Sequence, residues 1–110
     1  MSDHRRELGN RGETLAATIL ASRGLEILDR NVVVGGGEVD LVVRSGRQRV
    51  VVEVRSVRGR LRIDERLPAA KLRQVSSLAA LLGIHRVDFV GVAFGPRGID
   101  VHWLRDVATG

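Results

Sequence analysis

No cysteine occurs in the 110 residues. Disulfide staples and thiolate metal sites are therefore excluded, and the chemistry fits a reducing compartment. Aromatic residues make up 3% of the chain and tyrosine is missing altogether, which argues against base-stacking platforms of the single-strand-binding kind. No apolar run approaches the roughly 18 residues that span a bilayer. The opening "MSDHRRELGNRGE" lacks the apolar stretch of a secretory signal. The expectation is a cytoplasmic protein without a membrane partner. His4, His85 and His102 show no metal-ligand spacing, and no Ser/His/Asp pattern stands out.

What the chain does have is basic charge. Eighteen Lys and Arg against 13 Asp and Glu leave a net charge of +5. Such a balance favours polyanions such as nucleic acid or an anionic membrane surface; the competing reading is an Arg-rich, solvated surface. With aromatics so scarce, any grip on nucleic acid falls on phosphates. The length suits one domain over residues 1–110, enough for a single core and too little for two.

Apolar periodicity predicts a helix over residues 5–23, with Leu8, Leu15, Ala16, Ile19 and Leu20 on one face and Gly24 as its stop. Strands are expected at Glu26–Val34, Glu38–Arg44 and Arg49–Val57, joined by Gly35-Gly36-Gly37 and by Ser45-Gly46-Arg47-Gln48. The basic stretch "RSVRGRLRIDERLP" reads as a loop, and Pro68 opens a second helix that runs to Leu82. Strands over Arg86–Phe94 and Gly98–Leu104 follow, separated by "GPRG". The order is αβββαβ plus one strand. Short turns make the first three strands an antiparallel meander, and the crossover through the second helix makes strands three and four parallel. The expected architecture is α/β, a mixed sheet flanked by helices.

The two best strands carry acids where valine would be ordinary. A tight hairpin centred between Gly46 and Arg47 pairs residues whose numbers sum to 93, which sets Asp40 opposite Glu53 and Glu38 opposite Arg55. By alternation Glu38, Asp40 and Val42 share one side of their strand. Opposed carboxylates about 5 Å apart repel unless a proton or cation sits between them. A hard divalent ion such as Mg²⁺ (or Mn²⁺) answers that need: it takes one or two carboxylates and completes its shell with water and substrate phosphate. It also polarises phosphoryl oxygens. Arg55, one alternation beyond Glu53, is placed to neutralise a phosphate. The rival reading is an edge hairpin whose charges face solvent, with Glu38–Arg55 a surface pair.

"LGNRGE" at 8–13, "ILDRN" at 27–31, "GEVDL" at 37–41, "VVVEVR" at 50–55, Lys71 and "RVDFV" at 86–90 together resemble the YraN family of predicted endonucleases. That family is related to archaeal Holliday junction resolvases within the PD-(D/E)XK, restriction-endonuclease-like superfamily. The resemblance covers nearly the whole chain in order, and the superfamily's αβββαβ core matches the element order read above. It implies that Asp40 is the metal-binding Asp, that Glu53 is the acid of the (D/E)XK element, and that Glu13 is the additional helix-borne acid. Arg55 stands where that element carries Lys. An Arg stays protonated and cannot serve as a base, but it grips phosphate bidentately, so altered or reduced turnover with binding retained is expected.

Some residues keep two readings. Glu13 also suits a first-turn carboxylate favoured by the helix dipole. Lys71 either reaches a phosphate or is simply solvated. Arg58, Arg60 and Arg62, beyond the hairpin, form either a phosphate-gripping flap or a solvated loop. Trp103 and Phe89 read as core. Taken together, the sequence points to an Mg²⁺-dependent endonuclease-like protein that binds nucleic acid, DNA in the first instance, and hydrolyses phosphodiester bonds. The alternatives are a catalytically impaired binding module and a structural or partner-binding domain. Junction resolvases commonly work as dimers, so a homodimer is compatible with the resemblance.

Overall fold

A computed structural model describes residues 2–60 and 68–108. Helix α1 (Ser2–Ser22) leads into strands β1 (Glu26–Val34), β2 (Gly37–Ser45) and β3 (Gln48–Arg58), then helix α2 (Ala69–Leu81) and strands β4 (Val87–Gly95) and β5 (Gly98–Leu104). The five strands lie in one sheet in chain order, β1-β2-β3-β4-β5. The meander β1–β2–β3 is antiparallel, β3 and β4 are parallel, and β5 returns antiparallel to β4. The order, the parallel crossover and the hairpin register summing to 93 are those that periodicity and turn chemistry predict. None of the described helices is long and apolar enough to cross a membrane.

Each face of the sheet has its own core. Ala16, Ala17 and Leu20 of α1 pack with Leu41, Val43, Val50, Val52, Val90 and Val92. Val75, Leu78 and Ala79 of α2 pack with Val39, Val42, Val51 and Val87 on the other face. β4 is buried from Val87 to Ala93, as a valine-rich strand covered on both sides must be. Both helices end on a glycine in the left-handed region, Gly24 (φ 90) and Gly83 (φ 73). The next residues, Leu25 and Ile84, donate back to Leu20 O and Ala79 O and turn inward, so each stop fixes where the following strand begins.

Three expectations change. β3 continues to Arg58, paired with Phe94 of β4, one residue past the predicted Val57; parallel pairing supplies hydrogen bonds that local polarity does not announce. α1 begins at Ser2, which puts Glu13 about three turns inside the helix. That removes the first-turn dipole reading, because the dipole acts within the terminal turn. Trp103, read as core, packs against it but also donates its indole N–H to Asp88 Oδ2 at 3.0 Å. Asp88 is fully buried and accepts in addition from Arg86 Nε, Arg86 Nη2 and the backbone N–H of Asp106. A buried carboxylate answered this completely pins the chain after β5 to the start of β4.

Candidate functional site

The β2–β3 ladder stops at Leu41↔Val52. Beyond it β3 pairs with β4 from Val51 to Arg58, while β2 pairs with β1 down to Gly37. The sheet therefore forks, and Asp40 and Glu53 stand in the crotch. Opposed carboxylates give the strands a reason to part there. The Val54 N–H, which the interrupted ladder would leave without a β2 acceptor, donates instead to Asp40 Oδ2 at 2.8 Å.

Side-chain alternation breaks at the same place. Leu41 belongs to the α1-side core, yet Val39 belongs to the α2-side core with Val42. Strict alternation would have put Val39 with Leu41, so the expectation of one unbroken side for Glu38, Asp40 and Val42 does not hold. On β1, Asn31 has φ 53. Arg30 before it reaches Thr14 of α1 at 3.2 Å, whereas Val32 and Val34 after it pack in the α2-side core. Both strands change phase across the Asn31/Asp40 position.

Glu13, Asp40 and Glu53 interact as one electrostatic unit. Burial, reinforced by hydrogen bonding to Asp40 and repulsion from it, pushes the Glu13 carboxyl up to about 7, with Arg30 opposing. Burial, then repulsion from Asp40, pushes Glu53 up to about 8, with Lys71 opposing. Lys71, in the first turn of α2, holds its Nζ 3.7 Å from Glu53 Oε1 and stays 42% exposed, so it faces the acid and solvent together. Glu53 Oε2 is buried without a hydrogen-bond partner, an arrangement that is costly for an ionised carboxylate.

Of the residues singled out in the sequence, Glu13, Asp40, Glu53 and Lys71 come together. Arg55 is half-buried two residues along β3 from Glu53 and enters none of the ion pairs among the described residues. The expected Glu38–Arg55 pair is absent among the described residues, because the strands have separated before that rung. Arg58 and Arg60 are exposed at and just past the end of β3, Arg58 five residues or about 17 Å along the strand from Glu53. Arg62 lies outside the described residues.

Two residues were not anticipated. The Asn31 amide, oriented so that its nitrogen meets acceptors, donates to Glu38 Oε1 at 3.0 Å and Glu13 Oε1 at 3.3 Å. The available signal was an asparagine inside a β-branched run, since Asn is the non-glycine residue that most readily adopts positive φ. Gly12 lets α1 lie against β3: a Cβ there would land on Ser56 Oγ.

Among the described residues no three Asp, Glu or His side chains are arranged to hold a metal ion unaided. The donor set nevertheless suits a hard divalent cation. It offers the orphaned Glu53 oxygen, the Asp40 oxygen not used by Val54, and Glu13 beside them. Mg²⁺ takes only one or two carboxylates and fills its remaining positions from water and phosphate.

The model of the uncharacterised protein family UPF0102 matches residues 12–92. A UPF0102 protein of Thermotoga neapolitana is 40% identical, the match covering 80% of this chain and 87% of the relative. One from Roseiflexus castenholzii is 38% identical over 92% of this chain and 90% of its own. Among solved structures, Archaeoglobus fulgidus Hjc, a Holliday junction resolvase from an archaeal hyperthermophile, is similar with a TM-score of 0.52 and 21% identity, over 88% of this chain and 76% of that one. At that identity the likeness speaks to fold alone: the chain has the α/β restriction-endonuclease-like architecture of the resolvase.

Proposed function

Since the chain belongs to the uncharacterised protein family UPF0102, we propose that it is an Mg²⁺- or Mn²⁺-dependent endonuclease-like protein that binds DNA and hydrolyses phosphodiester bonds. One observation carries the reading: a buried carboxylate oxygen of Glu53 without a partner, in the same fork as Asp40 and Glu13. A structural acid in a core is answered by donors, as Asp88 is. The acids of the fork crowd one another, and Glu53 Oε2 is left unanswered.

In this reading Asp40 and Glu53 hold the cation and Glu13 assists from α1. A divalent ion bound there supplies Lewis-acid polarisation of the scissile phosphate. Asp40 is anchored through Val54 N–H by one oxygen, which leaves the other for the cation. Lys71 orients Glu53 and presents its exposed ammonium to the phosphate. Arg55 adds charge neutralisation without proton transfer, and Arg58, Arg60 and Arg62 grip the flanking backbone.

The test is a panel of duplex, flap and four-way branched DNA incubated with Mg²⁺ or Mn²⁺ and purified protein, with Asp40→Ala as control. Metal-dependent cleavage of at least one substrate, abolished in the variant, is expected. The Arg at position 55 favours a second reading, binding without turnover. DNA bound but never cut would select it and end the enzyme proposal.

A further inference from the structure

We propose that Asn31 is a positioning residue for the acid cluster: its left-handed backbone turns the β1–β2 pair at the fork, and its amide holds Glu13 against that fork. The inference rests on the metal-site reading above and adds to it a residue that neither periodicity nor the (D/E)XK pattern singles out.

Three observations converge on it. Asn31 is one of two non-glycine residues with positive φ among those described, and it sits in the middle of a strand. A left-handed residue inside β1 costs free energy unless something local offsets it. The register skips that position: Arg30↔Leu41 and Val32↔Val39 are partners, while Asn31 and Asp40 between them are not. There the alternation of both strands changes phase, with Arg30 reaching α1 and Val32 and Val39 turning to the α2-side core. Finally, the amide donates to Glu13 Oε1 and Glu38 Oε1, charge-assisted bonds of the stronger sort.

The geometry explains how a helix-borne acid and two strand-borne acids share one point. Glu13 arrives from α1, which is packed on one face. Glu53 lies in the phase of Val51, on the α2 side, where Lys71 meets it. Asp40 interacts with both. Without the phase change, β2 would present Val39 to the α1-side core and the fork would open differently. Without the amide, Glu13 would lose its only described neutral donor in the cluster, and repulsion from Asp40 and Glu38 would push its carboxylate outward. Outer partners of this kind typically set metal affinity by about 10- to 100-fold.

The test is isothermal titration with Mn²⁺ of the full chain, together with the metal-free melting temperature. Asn31→Gly accepts the left-handed backbone and deletes the amide, so the metal-free Tm should stay close to that of the parent while the Mn²⁺ Kd weakens about tenfold. Asn31→Ala, which also strains the backbone, should lower the Tm in addition. In a Glu13→Ala background, Asn31→Gly should cost less than about threefold, because the residue it positions is already gone. A Kd for Asn31→Gly equal to the parent's overturns the proposal and leaves the metal site standing. So does a full tenfold loss that persists without Glu13. A parent protein that takes up no Mn²⁺ overturns this proposal and the metal-dependent function together.

Discussion

A single oxygen of Asp40 does the work of a backbone acceptor by capping Val54 N–H, while the carboxylate also interacts with two more acids, Glu13 and Glu53. The consequence can be read in pH. Glu13 and Glu53 have raised pKa values in the fold, about 7 and about 8 against an ordinary 4.5. Between those values the folded chain holds protons that the unfolded chain has released. Their stabilising contribution is therefore complete below about 4.5 and is lost as pH rises through about 7 to 8. In chelator the Tm should fall across that interval, Glu53→Gln should flatten the fall, and Mn²⁺ at pH 8 should restore the difference; a Tm that climbs over the same interval contradicts the coupling. Arg55 supplies the other prediction at this scale. Arg55→Lys should raise single-turnover cleavage on the order of tenfold, a fraction of what a placed proton-transfer group supplies, and unchanged or slower cleavage counts against the role given to this position. The nearness of Asp40 to Glu53 was legible because turn length fixes register, although the ladder stops one rung short of them. Asn31 was not, since a constant two-residue alternation is assumed wherever a strand is read, and its left-handed φ breaks that assumption.

At the scale of elements, the site depends on how closely α1 lies on the sheet. Gly12 and Ser56 touch where the helix crosses β3, one residue before Glu13. Gly12→Ala should lower stability by about 1–3 kcal/mol, the usual cost of overpacking, and should weaken Mn²⁺ binding by moving Glu13. Adding Ser56→Gly removes the clash and should return part of both; chemical denaturation and Mn²⁺ titration of the single and double variants check this. No rescue in either measurement would mean that this close approach does not set the helix position. The strands and α2 were legible from apolar patterning and turn residues. The last residue of β3 was not: Arg58, one past the predicted Val57, pairs with Phe94, and parallel hydrogen bonds to a distant segment leave no trace in local composition. The start of α1 at Ser2, ahead of the predicted residue 5, was missed for a similar reason, because the polar residues before Leu8 are helical without contributing apolar periodicity.

Over the whole molecule, the +5 charge meets a fork of acids that only a cation makes compatible with a polyanion. Affinity for duplex DNA should therefore fall with salt. Replacing Arg58 and Arg60 together by Gln should flatten the log–log salt slope by about two units, roughly one for each phosphate no longer neutralised. An unchanged slope would remove these two arginines from the binding surface. The mixed sheet and its strand order could be foreseen, because a meander followed by a crossover leaves few topologies. The forking of that sheet could not: the opposed acids were legible, but a hairpin read from its turn carries one register through them, and the ladder stops at Leu41↔Val52.

A metal-dependent function requires that Asp40 and Glu53 share one divalent ion. Crystals grown with Mn²⁺ and measured at a wavelength where manganese scatters anomalously test this without reference to turnover. The prediction is an anomalous peak in contact with carboxylate oxygens of both residues, including Glu53 Oε2, that vanishes in Asp40→Ala. A map with no peak in the fork at saturating Mn²⁺, or a peak that survives the substitution, would contradict it.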